Sequence, residues 1–172
     1  SKGDLTLTWD ARNHLVSSLK GANPALAYSY DAFGNRVKKG STRYLLVDNQ
    51  VVAEFTGSST RQYAYGSYID EVLAHNDSLS GLAYYHHNRQ FNTTALTDAS
   101  GAILELYSTD AMGRVKSFDS SGLATSPSSL ATNVLFAGRV FDAETGLYYF
   151  RARYFEPELG VFISRDPLGY VD

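Results

Sequence analysis

Short runs of alternating apolar and polar residues, separated by turns, account for most of this chain. Leu5-Thr6-Leu7-Thr8-Trp9, Tyr28-Ser29-Tyr30 and Gln62-Tyr63-Ala64-Tyr65 alternate strictly, the period of a strand with one covered face. Ala102-Ile103-Leu104-Glu105-Leu106-Tyr107 is rich in strand formers. The run 148–155 reads as one strand, with Phe150, Ala152 and Tyr154 on one face and Arg151, Arg153 and Phe155 on the other. Gly160-Val161-Phe162-Ile163-Ser164 reads as a short buried strand, and the Ser/Thr/Ala-rich stretch 123–132 as a long loop. No segment has convincing helical periodicity. The pattern predicts an all-β chain of at least eight strands, joined as consecutive antiparallel hairpins into a curved or spiral sheet.

One turn signature punctuates these strands. It occurs as Asp31-Ala32-Phe33-Gly34, Asp98-Ala99-Ser100-Gly101, Asp110-Ala111-Met112-Gly113 and Asp119-Ser120-Ser121-Gly122. Asp10-Ala11-Arg12-Asn13 is a variant, and Asp142-Ala143-Glu144-Thr145-Gly146 is a stretched form. Asp at the first position of a type I turn can accept bonds from the turn's own amides. Gly at the fourth can take positive φ and form the bulge that suits a twisted hairpin. Asp31, Asp98, Asp110, Gly34, Gly101, Gly113 and Gly146 are therefore assigned structural turn roles. The hairpins also repeat: 9–16 aligns with 30–37, 21 residues later, and with 109–115. A lone hairpin cannot bury its own face, so such units must stack on neighbours.

Composition narrows the function classes. The 172 residues are 44% hydrophobic and only 19% charged, against roughly 25% charged in typical soluble proteins, which excludes disorder. Thirteen Tyr and nine Phe stand beside fourteen Gly and four Pro. The net charge of −3 asks for no nucleic-acid partner, and no apolar run reaches membrane-span length. Cysteine is absent, which removes disulfides, thiolate metal sites and a cysteine nucleophile. Of the four histidines, His86 and His87 are adjacent and would point to opposite faces of a strand, so His14, His75, His86 and His87 read as hydrogen-bonding residues. No metal site or cofactor is expected. Neither a nucleophile elbow nor a phosphate-binding loop is present. The tyrosine rows read as cross-strand ladders, with carbohydrate stacking as the alternative. Arg151, Arg153 and Arg165 read as covers over aromatic faces. Asn76-Asp77-Ser78 and Asn92-Thr93-Thr94 fit the glycosylation pattern. The opening Ser-Lys-Gly-Asp-Leu reads as a cut inside a longer protein rather than a secretion signal.

The same residues carry a family resemblance. Tyr30-Asp31-Ala32-Phe33-Gly34-Asn35-Arg36-Val37 resembles the YD repeat of Rhs and YD-repeat proteins. Tyr84-Tyr85-His86-His87-Asn88 through Thr94-Ala95-Leu96-Thr97-Asp98-Ala99-Ser100-Gly101 is similar to the opening of their Rhs-associated core. Phe136-Ala137-Gly138-Arg139 with Asp142-Ala143-Glu144-Thr145-Gly146-Leu147-Tyr148-Tyr149 resembles its middle. The run 151–162 and Arg165-Asp166-Pro167-Leu168-Gly169 complete the resemblance. It implies YD-repeat hairpins over 1–83 and a truncated Rhs-associated core over 84–172. It further implies a β-sheet shell, plugged by the core, that holds a C-terminal toxin or effector domain of the same polypeptide, in a secreted or cell-surface protein. In several members the core is an aspartyl autoprotease. The matching positions are Asp166 and Arg165, and they would act only in an extended parent. The family core continues beyond the point where this chain stops at Asp172, so a second acid and the scissile bond are expected to be missing. Asp172 itself is a candidate acid without a downstream bond. The segment His87-Asn88-Arg89-Gln90-Phe91-Asn92 departs from the family's Asp-His-Leu-Gly-Ser at that place.

Overall fold

The computed structural model describes residues 4–126 and 131–166. Its elements are β-strands joined by turns, with one 3-10 turn at Phe136–Gly138. The first thirteen strands form one antiparallel meander in strict chain order. They are β1 (Leu5–Trp9), β2 (Leu15–Lys20), β3 (Leu26–Tyr30), β4 (Arg36–Lys39), β5 (Thr42–Val47), β6 (Gln50–Thr56) and β7 (Ser59–Tyr65). Then come β8 (Val72–Asp77), β9 (Gly81–His87), β10 (Thr93–Thr97), β11 (Ile103–Thr109), β12 (Val115–Asp119) and β13 (Ala124–Thr125). Four more strands form a second sheet: β14 (Val140–Asp142), β15 (Leu147–Phe150), β16 (Arg153–Glu156) and β17 (Val161–Phe162).

The Asp turns are built alike. Asp31 accepts the amides of Phe33 at 2.9 Å and Asn35 at 2.8 Å on one carboxylate oxygen. Asp98 does the same for Ser100 and Ala102, Asp110 for Met112 and Arg114, and Asp119 for Ser121 and Leu123. Asp10 does so for Arg12 and His14. Gly34, Gly101 and Gly113 lie at φ +85°, +85° and +81°, and the ladder slips one residue before the turns at Asp10, Asp31 and Asp98. Hydrogen bonds favour the ionised carboxylate, led by the Asn35 amide at Asp31 and by the Ser100 hydroxyl at Asp98, so both titrate below the usual aspartate range.

The segment that departs from the family pattern folds into the same turn. Asn88 accepts the amides of Gln90 at 2.9 Å and Asn92 at 3.1 Å, and Phe91 takes the glycine position at φ +58°. The amide oxygen of Asn88 substitutes for the aspartate carboxylate, because the turn needs an acceptor and not a charge.

The second sheet lies inside a curl of the first. Leu15 of β2 and Tyr28 of β3 pack with Leu147 and Tyr154. Tyr85, Leu96 and Tyr107, from β9, β10 and β11, pack with Phe141 and Tyr148. A flat sheet would hold β2 and β11 nine spacings, roughly 43 Å, apart, whereas the four-stranded sheet is only about 14 Å across. Both ends reach it, so the long sheet bends around it. Strand alternation then serves two walls at once. Leu147, Tyr149 and Tyr154 face β1–β4, while Tyr148, Phe150 and Phe155 face the wall of β8–β12.

Several expectations are corrected. The run 148–155 is a hairpin rather than one strand, because Arg151 enters the left-handed region at φ +59° and ends β15. Val161 and Phe162 do form a strand, but an exposed one, since β17 is the outer edge of its sheet. The stretch read as a loop from 123 contributes the two-residue strand β13. At Asp142 the turn closes through its backbone, with the Gly146 amide donating to its carbonyl at 2.7 Å, while the carboxylate turns inward instead. Asn92 is buried, which removes it as a glycan acceptor.

The glycine geometry sets a test. Gly101 has open space where a Cβ would go, so Gly101→Val should lose about 1–2 kcal/mol from backbone strain alone. At Gly113 a Cβ would sit 2.8 Å from the Phe136 ring, so Gly113→Val should lose distinctly more. Urea denaturation of both variants checks the order.

Candidate functional site

The chemistry-bearing part of the molecule is the joint between the inner sheet and the curled wall. Arg36 opens β4 just after the Asp31 turn, so its side chain points inward, where it is 3% exposed. Its guanidinium grips Asp142 in a fork, Nη1 donating to Oδ2 at 2.5 Å and Nη2 to Oδ1 at 3.2 Å. Lys39, three residues on, donates from Nζ to Asp142 Oδ1 at 2.8 Å and pairs with Glu144 at 3.0 Å. Asp142 is fully buried. Tyrosines complete the cage. The Arg36 amide donates to the Tyr149 hydroxyl at 2.9 Å, and the guanidinium lies 4.2 Å from the Tyr149 ring centroid. Arg36 also donates to the Tyr154 hydroxyl at 3.2 Å, while the Tyr30 hydroxyl donates to the Leu15 carbonyl.

Burial disfavours the charge on Asp142, but Arg36 and Lys39 outweigh it and hold the carboxyl below its usual range. Burial also dominates at Tyr28, whose hydroxyl is pushed up to about 12 although its bond to Ser18 and the Arg36 charge work the other way. The cluster is a locked structural charge set rather than an acid–base pair. A general-acid carboxyl needs a proton within reach of neutral pH, and this one is bound to two cations.

Five further contacts fasten the inner sheet and the turn that leads into it. Asp70, at φ +68° between β7 and β8, pairs with Arg139 at 2.8 Å and with Arg151. The Tyr148 hydroxyl donates to the Gly113 carbonyl at 2.9 Å. Asn92 accepts the Ala137 amide at 2.8 Å, and the Phe91 carbonyl accepts that of Gly138 at 2.9 Å. The odd turn at Asn88 is thus the seat for the 3-10 turn. In the sequence Arg36 is part of a repeat, Asp142 of a stretched turn, and Phe91 of the segment that departs from the family pattern. Nothing local marks a carboxylate as the partner of an arginine 106 residues away.

The residues proposed from sequence fall elsewhere. Asp166 is partly buried and pairs with Arg153 at 3.0 Å. The Arg165 carbonyl accepts the Asn13 side-chain amide at 3.2 Å, and its side chain is exposed. Both line a cleft of about 360 Å³. Pro167, Gly169 and Asp172 lie outside the described residues. Of the three arginines read as covers, Arg153 lies 3.8 Å over the Phe162 ring, whereas Arg151 pairs with Asp70. Among the described tyrosines only Tyr68 and Tyr84 are exposed. No group of three or more metal-ligating side chains occurs among the described residues.

The histidines hold structural positions, but the buried Nε2 of His87 has no hydrogen-bond partner among the described residues, against the expectation for it. His75 is buried, hydrogen-bonds through Nδ1 with the Tyr85 hydroxyl at 2.9 Å, and is pushed down to about 4 by burial and by Arg61. His87 stacks on Tyr85 at 5.8 Å, and His86 meets the Thr97 hydroxyl at 3.0 Å.

Comparison with known proteins places the chain. It is 33% identical over 178 residues to a tRNA3(Ser)-specific nuclease WapA of Bacillus spizizenii, covering 97% of this chain and 7% of that protein. It is 30% identical over 174 residues to a probable deoxyribonuclease RhsB of Dickeya dadantii, covering 94% of this chain and 12% of that one. A 39-residue stretch is 51% identical to the toxin protein Tse5 of Pseudomonas aeruginosa. The chain therefore spans only a small part of these relatives. Among solved structures, that of TcdB2-TccC3 superposes with a TM-score of 0.64 over 99% of this chain and 9% of that one, at 19% identity. The fold is thus shared with it. No family model matches the chain.

Two outcomes follow from the buried charges. Asp142→Asn leaves the buried Arg36 guanidinium without its carboxylate, while Lys39 keeps Glu144, and should lose about 3–5 kcal/mol. Lys39→Met should lose clearly less, because Arg36 still holds Asp142 and Lys39 is partly exposed. Denaturant melts of both variants test this ranking. For pH, the folded His75 value of about 4 lies below its ordinary 6.5, so the unfolded chain binds more protons between the two. Stability should fall as pH drops from 6.5 to 4, by up to roughly 3 kcal/mol. His75→Asn should flatten that slope in melts taken across the window.

Proposed function

The chain is homologous, along nearly its whole length, to a segment of Rhs- and WapA-type proteins of the Rhs/YD-repeat toxin family, and from that premise we propose that it is a wall-and-plug segment of an encapsulating β-shell. In this reading β1–β13 are part of the shell wall, and the inner sheet β14–β17 is the plug that closes it. The cargo is a C-terminal toxin or effector domain of the same polypeptide, in a secreted or cell-surface protein. The division into repeats over 1–83 and core over 84–172 is kept as a sequence boundary, although residue 84 lies within β9 and the sheet runs through it. One observation carries the reading: the inner sheet is covered on both faces by strands nine positions apart in the wall. A sheet held in this way closes a space, whereas an adhesion module would present its aromatics outward. The inward burial of most tyrosines speaks for structure over carbohydrate stacking.

A second reading concerns Asp166 and Arg165. In the extended parent they would serve an aspartyl autoprotease, Asp166 as one acid of the pair and Arg165 orienting the bond to be cut. What favours it is the placement of Asp166, partly buried on the wall of a cleft and held by Arg153. The chemistry needs a second acid to share a proton and a peptide bond held against the pair.

One experiment on the intact parent addresses both readings. Protease digestion should spare the C-terminal domain in the wild type and degrade it in Asp142→Asn, where the plug is loosened. Equal digestion of the two would remove the encapsulation reading. On the same denaturing gel, Asp166→Asn should abolish any self-cleavage while leaving the melting curve in place. Cleavage at the normal rate in that variant would reduce Asp166 to a turn residue.

A further inference from the structure

The cleft of about 360 Å³ that holds Asp166 and Arg165 has a further lining that neither the shell nor the autoprotease reading uses. Four turns converge on it. Arg12 and Asn13 come from the β1–β2 turn, Phe33 from β3–β4, Asn49 from β5–β6, and Arg151 from β15–β16. Asn13, Asn49 and Arg151 hold left-handed backbone at φ +66°, +64° and +59°. These are turn positions, which fix how the tips present their side chains to the cleft.

The charge left over in the cleft is cationic. Arg151 is committed, its Nε donating to the Asn49 carbonyl at 3.2 Å and its Nη2 pairing with Asp70. Asn49 Oδ1 accepts from Asn35 at 3.0 Å, which orients the amide and leaves its Nδ2 as a donor. The guanidiniums of Arg12 and Arg165 make no hydrogen bond or ion pair among the described residues. Asp166 also lines the cleft, but Arg153 answers its charge at 3.0 Å. Asn13 and Asn35 spend their Nδ2 donors and keep Oδ1 acceptors, but among the described residues the only uncompensated charge is that of two guanidiniums, which with the Asn49 amide donor is the chemistry that holds an oxyanion. Phe33 stands at the same cleft with 91% of its surface exposed. An aromatic face in that position offers a platform for a flat or ring-shaped group attached to the anion. The volume lies in the small-molecule range of roughly 300–1,000 Å³.

We propose that this cleft binds a phosphate ester carried on a ring, with Arg12, Arg165 and Asn49 on the phosphate and Phe33 under the ring. The ring has two sources, a sugar or a nucleoside. The proposal is independent of the shell reading, since it concerns turn tips and not the joint.

Isothermal titration of the intact protein tests it, with glucose 6-phosphate, AMP, inorganic phosphate and unphosphorylated glucose as probes. Binding of a phosphorylated ring compound is expected, with none for glucose. Whichever of glucose 6-phosphate and AMP binds more tightly identifies the ring. Arg12→Gln should weaken binding at least tenfold, and added salt should weaken it further. Phe33→Ala should weaken the ring compound several-fold and leave inorganic phosphate unchanged. Both side chains are exposed and their backbone amides are retained, so the melting curves should match the wild type. Absence of binding by both phosphorylated compounds, or undiminished binding by Arg12→Gln, overturns the proposal. Equal loss of inorganic phosphate and ring compound in Phe33→Ala overturns the role given to the ring.

Discussion

A single buried carboxylate organises this molecule. Asp142 is enclosed completely, and it can be charged there only because Arg36 and Lys39 meet it from the opposite wall. Removing ions from water is expensive, so neither partner is stable in the interior without the other. This makes the joint all-or-none. The inner sheet must sit in one register against β4, or the buried charges of Asp142 and Arg36 are stranded together. Hydrophobic contact supplies most of the adhesion, but it is not directional. The fork of Arg36 on Asp142 gives direction, and the tyrosine hydroxyls around it satisfy what the ions leave over.

The second constraint is the twofold period of a strand. In most antiparallel sheets one side faces water, and alternation reads as apolar and polar. In β15 both sides are covered, so Leu147, Tyr148, Tyr149 and Phe150 form an unbroken apolar run. Successive residues then belong to different cores, the odd ones facing Leu15 and Tyr28 and the even ones facing Tyr85 and Tyr107. A polar group is admitted only where the facing wall answers it. Asp142 shares the Arg36 side, whereas the neighbouring Phe141 faces the aromatic side. The long sheet cannot relax to a flatter shape without losing contact with one face of this strand.

The turns play the complementary part. Each Asp turn closes with its own amides, as at Asp98 and Asp119, and depends on no distant residue. Hairpins of this kind can be added in series without redesigning a core. Their left-handed positions fall at the strand ends, so the groups exposed at turn tips, such as Arg12 and Phe33, are free to serve binding. The wall and its rim are thus under different demands: the first is set by what faces inward, and the second is open to variation.

Local chemistry was legible in the sequence. Alternation in 5–9 and 62–65 and the Asp-x-x-Gly signature specified strands, turns and the all-β class, because each depends on bonds within a few residues. The resemblance to YD-repeat proteins rested on those same local units. The turn at Asn88 escaped because Asn and Phe91 replace the expected Asp and Gly. The break at Arg151 escaped because an arginine at positive φ is held there by Asp70, far away in sequence. The exposed position of Val161 and Phe162 was hidden for a related reason, since an apolar strand does not say whether anything covers it. The partner of Asp142 was the least legible of all. In sequence it was one more turn aspartate, like Asp31 or Asp98, and its backbone does close a turn. Only the tertiary fold decided that its carboxylate would turn inward to Arg36. Local hydrogen bonds form wherever the residues for them are adjacent, while a buried ion pair exists only once the chain has brought opposite charges together and excluded water.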